Sequence, residues 1–245
     1  MKQSIFTIEK NERIAENTFE MLLSGDTAEI THPGQFVNIK LSGFFLRRPI
    51  SVCDWSENTL TLIYKAVGKG TEQMSRMKRG EALDVLTALG NGYTTEKSGA
   101  RPLLLGGGAG VPPMFALAKK LIAEGKCPTV ILGFNKASEV FYADKFKALG
   151  AETIVTTADG SLGVKGFVTD AMKNASYTYF YACGPEPMLR AVYNASETSG
   201  QLSFEKRMGC GFGACMGCSC KTLYGTKRIC KDGPVLEKEE IIWAD

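Results

Sequence analysis

The 245-residue chain contains a single histidine, His32. A metal site built from several histidines is therefore excluded, and a Ser-His-Asp hydrolase is disfavoured because it would depend on this one side chain. His32 precedes Pro33-Gly34, a pair typical of turns, so we expect a structural role for it.

Long apolar runs are also missing. No stretch approaches the roughly 18 apolar residues of a membrane span, and Met1 is followed by a strand-like alternation rather than by the apolar core of a signal peptide. The net charge of +3, from 29 basic and 26 acidic residues, is too small and dispersed to indicate nucleic-acid binding. We expect a cytoplasmic protein with no membrane or nucleic-acid partner.

Cysteine, by contrast, is abundant. Four of the eight cysteines form a C-x4-C-x2-C-x11-C pattern: Cys210, Cys215, Cys218 and Cys230. The spacing opens like the plant-type [2Fe–2S] pattern, and four thiolates are what two irons and two sulfides require. The glycines between them let the loop curl and direct amides at the sulfurs. We predict these four as metal ligands and Cys220 as a packed thiol.

Two other interpretations of the cysteine pattern stay open at this point. Structural zinc more often uses two separated C-x2-C pairs or a mixture of cysteine and histidine. Disulfides are rare without a secretory signal.

The length fits two domains and a small third segment, predicted at 1–97, 98–206 and 207–245. The first shows apolar–polar alternation between turn residues, which indicates antiparallel strands and, from their number and spacing, a closed β-barrel. The strands are expected within 5–23, with a break at 11–17, and at 35–41, 50–55, 59–67 and 80–86. A short helix is expected at 70–77, with Thr71 as its N-cap.

Two stretches of the barrel region indicate phosphate binding. In Arg47-Arg48-Pro49-Ile50-Ser51, an arginine beside a serine offers a bidentate donor and a hydroxyl. In Gly68-Lys69-Gly70-Thr71, flexible backbone meets a helix start, which suits an anion. Each alone fits ordinary solvated surface; together they favour a phosphate-bearing cofactor.

Residues 98–206 alternate between strand and helix, which predicts a parallel, doubly wound α/β sheet. Strands are expected at 101–105, 129–134, 153–157, 177–182 and 202–206, and helices at 113–124, 138–149, 166–174 and 185–199. A glycine run that includes Gly107, Gly108 and Gly110 lies at a strand end, where a dinucleotide pyrophosphate would bind. It is not the G-x-G-x-x-G fingerprint, and a tight turn could also use these glycines.

Another strand ends at Cys183-Gly184-Pro185, and ligands of such sheets gather at this edge. Cys183 could equally be a buried apolar side chain. The third segment is too small to bury a core of its own, so we expect it to depend on its metal cluster and its neighbours.

These motifs together resemble the ferredoxin reductase family. Arg48-Pro49-Ile50-Ser51 is similar to its flavin motif, Pro33-Gly34-Gln35-Phe36 to a barrel strand, and Gly107-Gly108-x-Gly-x-x-Pro and Cys183-Gly184-Pro185 to its nicotinamide-side motifs. With the cysteine set appended, the whole chain resembles the electron transfer subunits of type B dihydroorotate dehydrogenases.

The resemblance implies FAD on the barrel, NAD at the glycine run and a [2Fe–2S] cluster. Arg48 and Ser51 would lie near the flavin and its pyrophosphate, with Ile63, Tyr64 and Lys65 lining the site and Gly70 and Thr71 holding phosphate. Ile50 stands where an aromatic often stacks on the flavin. The resemblance also implies an FMN-containing catalytic partner, in a heterotetramer of two catalytic and two electron transfer subunits.

Under this interpretation the chain passes electrons between FMN on the partner and NAD, in pyrimidine biosynthesis, and no side chain acts as nucleophile or base. Alternatives are a subunit of an NADH-dependent ferredoxin:NADP oxidoreductase or a sulfide dehydrogenase, or a non-catalytic redox sensor.

Two finer expectations concern specificity and contacts. NAD is preferred over NADP because the segment 133–139 has no arginine for a 2′-phosphate, although it contains Lys136. Phe212, Met216 and Leu223 are expected to face a partner subunit; the alternative is that they pack internally.

Overall fold

The computed structural model describes residues 1–243, whose N-terminal strands form a closed six-stranded antiparallel barrel in the order β1-β2-β5-β4-β3-β6. Alternate side chains such as Phe6, Ile8 and Leu62 are fully buried inside it, which confirms the predicted barrel. Its elements are β1 (Lys2–Ala15), β2 (Thr18–Ser24), β3 (Phe36–Lys40), β4 (Arg48–Trp55), β5 (Thr59–Lys65), α1 (Lys69–Arg76) and β6 (Ala82–Leu89).

Two details of the barrel differ from expectation. The predicted break at 11–17 is too long, because β1 pairs with β2 as far as Ala15 and only residues 16 and 17 form the turn. Asn11 stays in the strand, and its side-chain amide donates to the carbonyls of Met74 and Met77 near the end of α1. Thr71 is not the N-cap of α1. Gly68 holds that position, and the Thr71 hydroxyl accepts from the Gly68 amide.

The second region forms a seven-stranded sheet in the order β10-β9-β8-β7-β11-β12-β15, whose last strand, β15 (Val235–Glu237), comes from the cysteine segment. Every neighbouring pair is parallel except β12–β15, so the predicted parallel α/β sheet is confirmed. Its elements are β7 (Pro102–Gly107), α2 (Val111–Ala123), β8 (Thr129–Phe134), α3 (Ala143–Ala148), β9 (Glu152–Thr157), β10 (Val164–Lys165), α4 (Val168–Met172), β11 (Tyr179–Cys183), α5 (Glu186–Ala195) and β12 (Gly200–Ser203).

The helix expected at 138–149 is wrong in its first half. Residues Ala137–Glu139 form one turn of 3-10 helix, and α3 begins only at Ala143. Tyr142 between them has φ +67°, a left-handed conformation that an α-helix cannot continue through.

The cysteine segment (residues 207–243) contains a hairpin and an edge strand. The hairpin pairs β13 (Ser219–Thr222) with β14 (Gly225–Arg228), and β15 (Val235–Glu237) pairs antiparallel with β12. The segment therefore completes the second region's sheet.

Two apolar clusters join the regions. One places Phe36 and Leu89 of the barrel with Leu103 of the sheet and Cys218 and Cys230 of the cysteine segment. The other packs Ile63 and Tyr93 against Leu104, and the Tyr93 hydroxyl donates to the Ala182 carbonyl at 3.0 Å. Within residues 1–243, none of the helices has the length and apolar character needed to cross a bilayer.

Candidate cofactor cleft and cysteine loop

One cleft of about 350 Å³ receives side chains from all three regions. The barrel supplies residues of β4, β5 and α1, the sheet supplies the ends of β7, β11 and β12, and the cysteine segment supplies Met208 and Pro234. The cleft brings together most of the predicted site: Pro49, Ile50, Ser51, Ile63, Tyr64, Lys65, Thr71, Gly107, Gly110, Cys183, Gly184 and Pro185.

Arg48, Gly70 and Gly108 lie beside this lining. A Cβ built on Gly70 would lie 2.2 Å from the Arg48 Nε, so the start of α1 lies directly against the guanidinium and a larger residue there would displace it. Arg48 also stacks over the Phe44 ring at 4.5 Å. The two predicted phosphate motifs of the barrel therefore meet, which fits a phosphate-bearing ligand.

Polar groups on β5 are held in place by neighbours. The Tyr64 hydroxyl donates to Asn11 at 2.9 Å, and burial raises the pKa of Tyr64 to about 12, so the phenol stays protonated at neutral pH. The Lys65 ammonium donates to the carboxylate of Glu139 at 3.1 Å, which ties the barrel to the loop after β8.

The glycine turn after β7 touches the end of β11. A Cβ on Gly110 would lie 2.1 Å from the Cys183 carbonyl oxygen, so no larger residue fits without moving the backbone. The two predicted nucleotide motifs thus form one surface at the carboxyl edge of the sheet, the edge that dinucleotides use. Burial raises the pKa of Cys183 to about 12, which keeps it a neutral thiol.

The cysteine loop directs backbone amides at its sulfurs. Cys210 Sγ accepts from the amides of Ala214 and Cys215 at 3.2 and 3.4 Å, and Cys215 Sγ accepts from Cys210 and Gly217 at 3.5 Å. Burial acts to raise the pKa of Cys210. The hydrogen bonds from Cys215, Phe212 and Ala214 outweigh burial and lower this pKa to about 6. Such donors stabilise thiolate ligands.

The other two predicted ligands lie on the inner side of the loop. Cys218 and Cys230 are 3% and 2% exposed, and the Cys230 amide donates to Cys218 Sγ at 3.4 Å. Burial, and then the neighbouring sulfur of Cys218, raises the pKa of Cys230 to about 12. Cys220 lies in β13 and packs against the shared core.

Polar contacts fix the loop to its surroundings. The Arg228 guanidinium donates to the Gly213 carbonyl at 2.9 Å and to the Asp232 carboxylate at 3.0 Å. Asn91, from the barrel–sheet connection, exchanges two hydrogen bonds with the backbone of Val235. On the barrel side, the Asn38 side-chain amide donates to the Cys210 carbonyl at 3.4 Å. It lies so close to Gly211 that a Cβ there would be 2.2 Å from Asn38 Nδ2, so the loop packs directly on the barrel.

Within residues 1–243, no three His, Cys, Asp or Glu side chains form a group that could hold one metal ion. A [2Fe–2S] cluster instead spreads four thiolates over two irons. The all-sulfur donor set and the amides directed at it fit such a cluster.

Sequence reasoning missed several lining residues, notably Phe36, Ser203, Phe204, Met208 and Pro234. Met208, two residues before Cys210, could have been found from its position. The other four reach the cleft because of the order of the strands and the pairing of β15 with β12. A local sequence pattern encodes neither.

Barrel, nucleotide sheet and cysteine segment around one cleft define an oxidoreductase of the ferredoxin reductase-like class. Residues 205–242 match the model of the iron–sulfur cluster binding domain of dihydroorotate dehydrogenase B, and residues 104–194 match the oxidoreductase NAD-binding domain. The chain is also similar to a structure of an NADH-dependent reduced ferredoxin-NADP oxidoreductase, with 31% identity, a TM-score of 0.89, and coverage of 97% of this chain and 90% of that one.

Curated relatives define the family more narrowly. Electron transfer subunits of dihydroorotate dehydrogenase B (NAD(+)) from Fusobacterium nucleatum and from Geobacillus sp. are 46% and 43% identical, over 96% and 99% of both chains. The chain belongs to the family of dihydroorotate dehydrogenase B electron transfer subunits.

Proposed function

We propose that this chain passes electrons between the FMN of a dihydroorotate dehydrogenase catalytic subunit and NAD, by way of a [2Fe–2S] cluster and FAD, in the synthesis of pyrimidine nucleotides. When bound, the nicotinamide would exchange an electron pair as hydride, the flavin would convert between pairs and single electrons, and the cluster would pass single electrons. The observation that carries the proposal is the cleft, where all three regions meet.

The barrel side of the cleft would hold the flavin. Arg48, Ser51 and Thr71 would bind its phosphates, since they combine a guanidinium, two hydroxyls and the start of α1. Ile50 and Ile63 would exclude water from the ring system. Lys65 would contribute positive charge at the rim of the site.

The sheet side would hold NAD. Gly107, Gly108 and Gly110 let a pyrophosphate approach the backbone at the start of α2. Cys183-Gly184-Pro185 would lie beside the nicotinamide end. Because Cys183 is a neutral thiol, its role there is contact rather than acid–base chemistry.

Cys210, Cys215, Cys218 and Cys230 would ligate the cluster. Their arrangement divides them into a buried pair and a more accessible pair, since Cys215 is exposed and Cys210 half-buried. The accessible side of the loop would face the catalytic subunit.

Exposed apolar side chains support that orientation. Phe212, Met216 and Leu223 are 42%, 52% and 64% exposed, and Tyr224 beside them is 78% exposed. This exposure leaves all three side chains accessible to a partner. We propose that they contact the FMN-containing subunit, in a heterotetramer of two catalytic and two electron transfer subunits.

The test is to purify the chain alone, confirm its FAD and cluster content, and assay its reactions with NADH and with dihydroorotate. NADH:dye reductase activity should be present, which a non-catalytic redox sensor would lack. Dihydroorotate should leave the flavin absorbance unchanged until the catalytic subunit is added. Bleaching of the flavin by dihydroorotate without that subunit would refute the proposal.

A further inference from the structure

Asn38 is a polar side chain on an apolar face of the barrel. It lies two residues after Phe36 on β3 and opposite Leu86 of β6, so the three side chains point to the same side of the barrel wall. Phe36 and Leu86 pack in one cluster with Cys218 and Cys230 of the cysteine segment. Asn38 is only 1% exposed, so its amide is buried where the barrel meets that segment.

The NH₂ group of this amide faces the cysteine loop. Asn38 Nδ2 donates to the Cys210 carbonyl at 3.4 Å, and a Cβ on Gly211 would lie 2.2 Å from the same nitrogen. If the amide were turned over, its oxygen would face the carbonyl oxygen of Cys210, and two acceptors cannot bond to each other. The positive end of the amide dipole therefore lies beside the backbone of a proposed cluster ligand.

The same strand position borders the proposed flavin site. Asn38 pairs with Pro49 of β4, which lines the cleft directly after Arg48. The Arg47 guanidinium donates to the Asn38 carbonyl at 3.3 Å and to the Asp84 carboxylate at 2.9 Å, which ties β3 to β6. Asn38 is therefore held in place between the residues proposed to bind the flavin and the loop proposed to bind the cluster.

The buried amide is not explained by the stability of the fold. Its carbonyl oxygen, Oδ1, is buried and has no hydrogen-bond partner within residues 1–243. A buried acceptor without a donor destabilises the folded state, and an apolar side chain would avoid that penalty on this apolar face. The contact that the NH₂ group makes with Cys210 is the feature that an apolar residue could not supply.

We propose that Asn38 is a positioning residue that raises the reduction potential of the cluster. Reduction by one electron forms no bond and breaks none, and it adds one negative charge to the cluster. Hydrogen bonds and net charge around a cluster are among the properties that set its potential. By donating to the Cys210 carbonyl, Asn38 offsets negative charge beside this ligand and so favours the reduced state. The inference rests on the proposed function, because it requires a cluster bound through Cys210.

The experiment is a redox titration of the cluster, followed by EPR on the FAD- and cluster-loaded chain. Asn38→Leu removes the donor and keeps a side chain of similar length. At a given applied potential, the ratio of reduced to oxidised cluster should fall about fivefold, the scale of one hydrogen bond. For a one-electron centre this is a fall of about 40 mV. Asn38→Ala, which cannot overfill the site, should shift the potential in the same direction.

Two controls separate this effect from a loss of stability. Thr87→Val removes another buried polar group of the barrel, whose hydroxyl donates to the Lys2 carbonyl, and should leave the potential unchanged. Asn91→Ala removes the two hydrogen bonds to Val235 and so loosens the cysteine segment at a point away from Cys210. The cluster that this variant retains should keep the wild-type potential.

An unchanged potential in cluster-loaded Asn38→Leu and Asn38→Ala would overturn the inference. An equal fall in Asn91→Ala would also overturn it, because loosening of the segment would then be the cause. Loss of the cluster from both Asn38 variants would make Asn38 a purely structural residue and would refute its role in the potential. A wild-type chain that takes up no [2Fe–2S] cluster would instead refute the proposed function itself.

Discussion

The barrel and the cysteine segment bury apolar side chains in different ways. The barrel encloses a core of its own, built from residues such as Phe6, Met21 and Leu62. The buried apolar side chains of the cysteine segment all belong to clusters shared with the barrel or the sheet: Cys218, Ile229, Cys230, Val235, Leu236 and Ile241. The barrel therefore has a core of its own, whereas the segment depends on its neighbours and on its proposed cluster.

This difference fits the two proposed roles, which are flavin binding for the barrel and electron exchange with a partner for the cysteine segment. A flavin needs a rigid, dry site, which a closed barrel provides. A cluster that exchanges electrons with another protein must lie near the surface. Its loop accordingly has amide donors and exposed side chains rather than a hydrophobic core of its own.

The largest effect should come from the ligands of the cluster. Cys215→Ser and Cys218→Ser should each abolish the [2Fe–2S] visible and EPR signals, because a thiolate ligand is lost. Cys220→Ser should retain both signals. The barrel should keep its FAD in every variant. Bleaching by Cys220→Ser alone would contradict the ligand assignment.

The next largest effect is expected from a substitution in the barrel core. Leu62→Ala removes a fully buried side chain and should lower the free energy of unfolding by about 3 kcal/mol, which corresponds to about 6–12 °C in the melting temperature. Leu223→Ala is the same substitution on the exposed surface of the cysteine segment and should leave the melting temperature unchanged. An equal fall in melting temperature in both variants would contradict the proposed difference between the barrel core and the surface of the cysteine segment.

A smaller effect is expected at the attachment of the cysteine segment. Asn91→Ala removes the two hydrogen bonds to Val235 and should cost about 1–2 kcal/mol. Because these bonds hold β15, cluster loss on dilution should accelerate, as followed by visible absorbance. Asn58→Ala, an exposed asparagine of the β4–β5 turn, is the control. Unchanged cluster retention in Asn91→Ala would show that the cluster alone holds the segment.

The smallest effect concerns the ion pairs between barrel and sheet. Burial raises the pKa of Glu20, but hydrogen bonds from Lys145 and Tyr142 outweigh it, and the net pKa is lowered. Glu20 therefore stabilises the folded protein above its unfolded pKa, and this contribution is lost as pH falls through the folded pKa.

Glu20→Gln should accordingly lower the free energy of unfolding by about 1 kcal/mol at pH 7. The difference from wild type should close below about pH 4. Thermal melts between pH 3 and 8 measure it, with Glu12→Gln as the exposed control. A difference that grows at low pH would contradict the sign of the pKa shift.

Local patterns predicted those parts of the molecule whose signal is local. Alternating apolar residues gave the barrel strands, and cysteine spacing marked the loop. β15 was missed because Val235–Glu237 becomes a strand only by pairing with β12. The contact between Gly70 and Arg48 was likewise beyond the sequence, since it joins residues on separate elements. The left-handed Tyr142, which delays α3, has no residue-type signature.

Electrons should pass between the FAD and NAD sites and the partner through the cysteine segment. The direct measurement compares wild type with cluster-free Cys215→Ser, each assembled with the catalytic subunit and checked for co-elution. In the variant, NADH-driven reduction of a dye should persist, whereas dihydroorotate-driven reduction of NAD⁺ should disappear. Continued reduction of NAD⁺ by dihydroorotate in the cluster-free complex would contradict it.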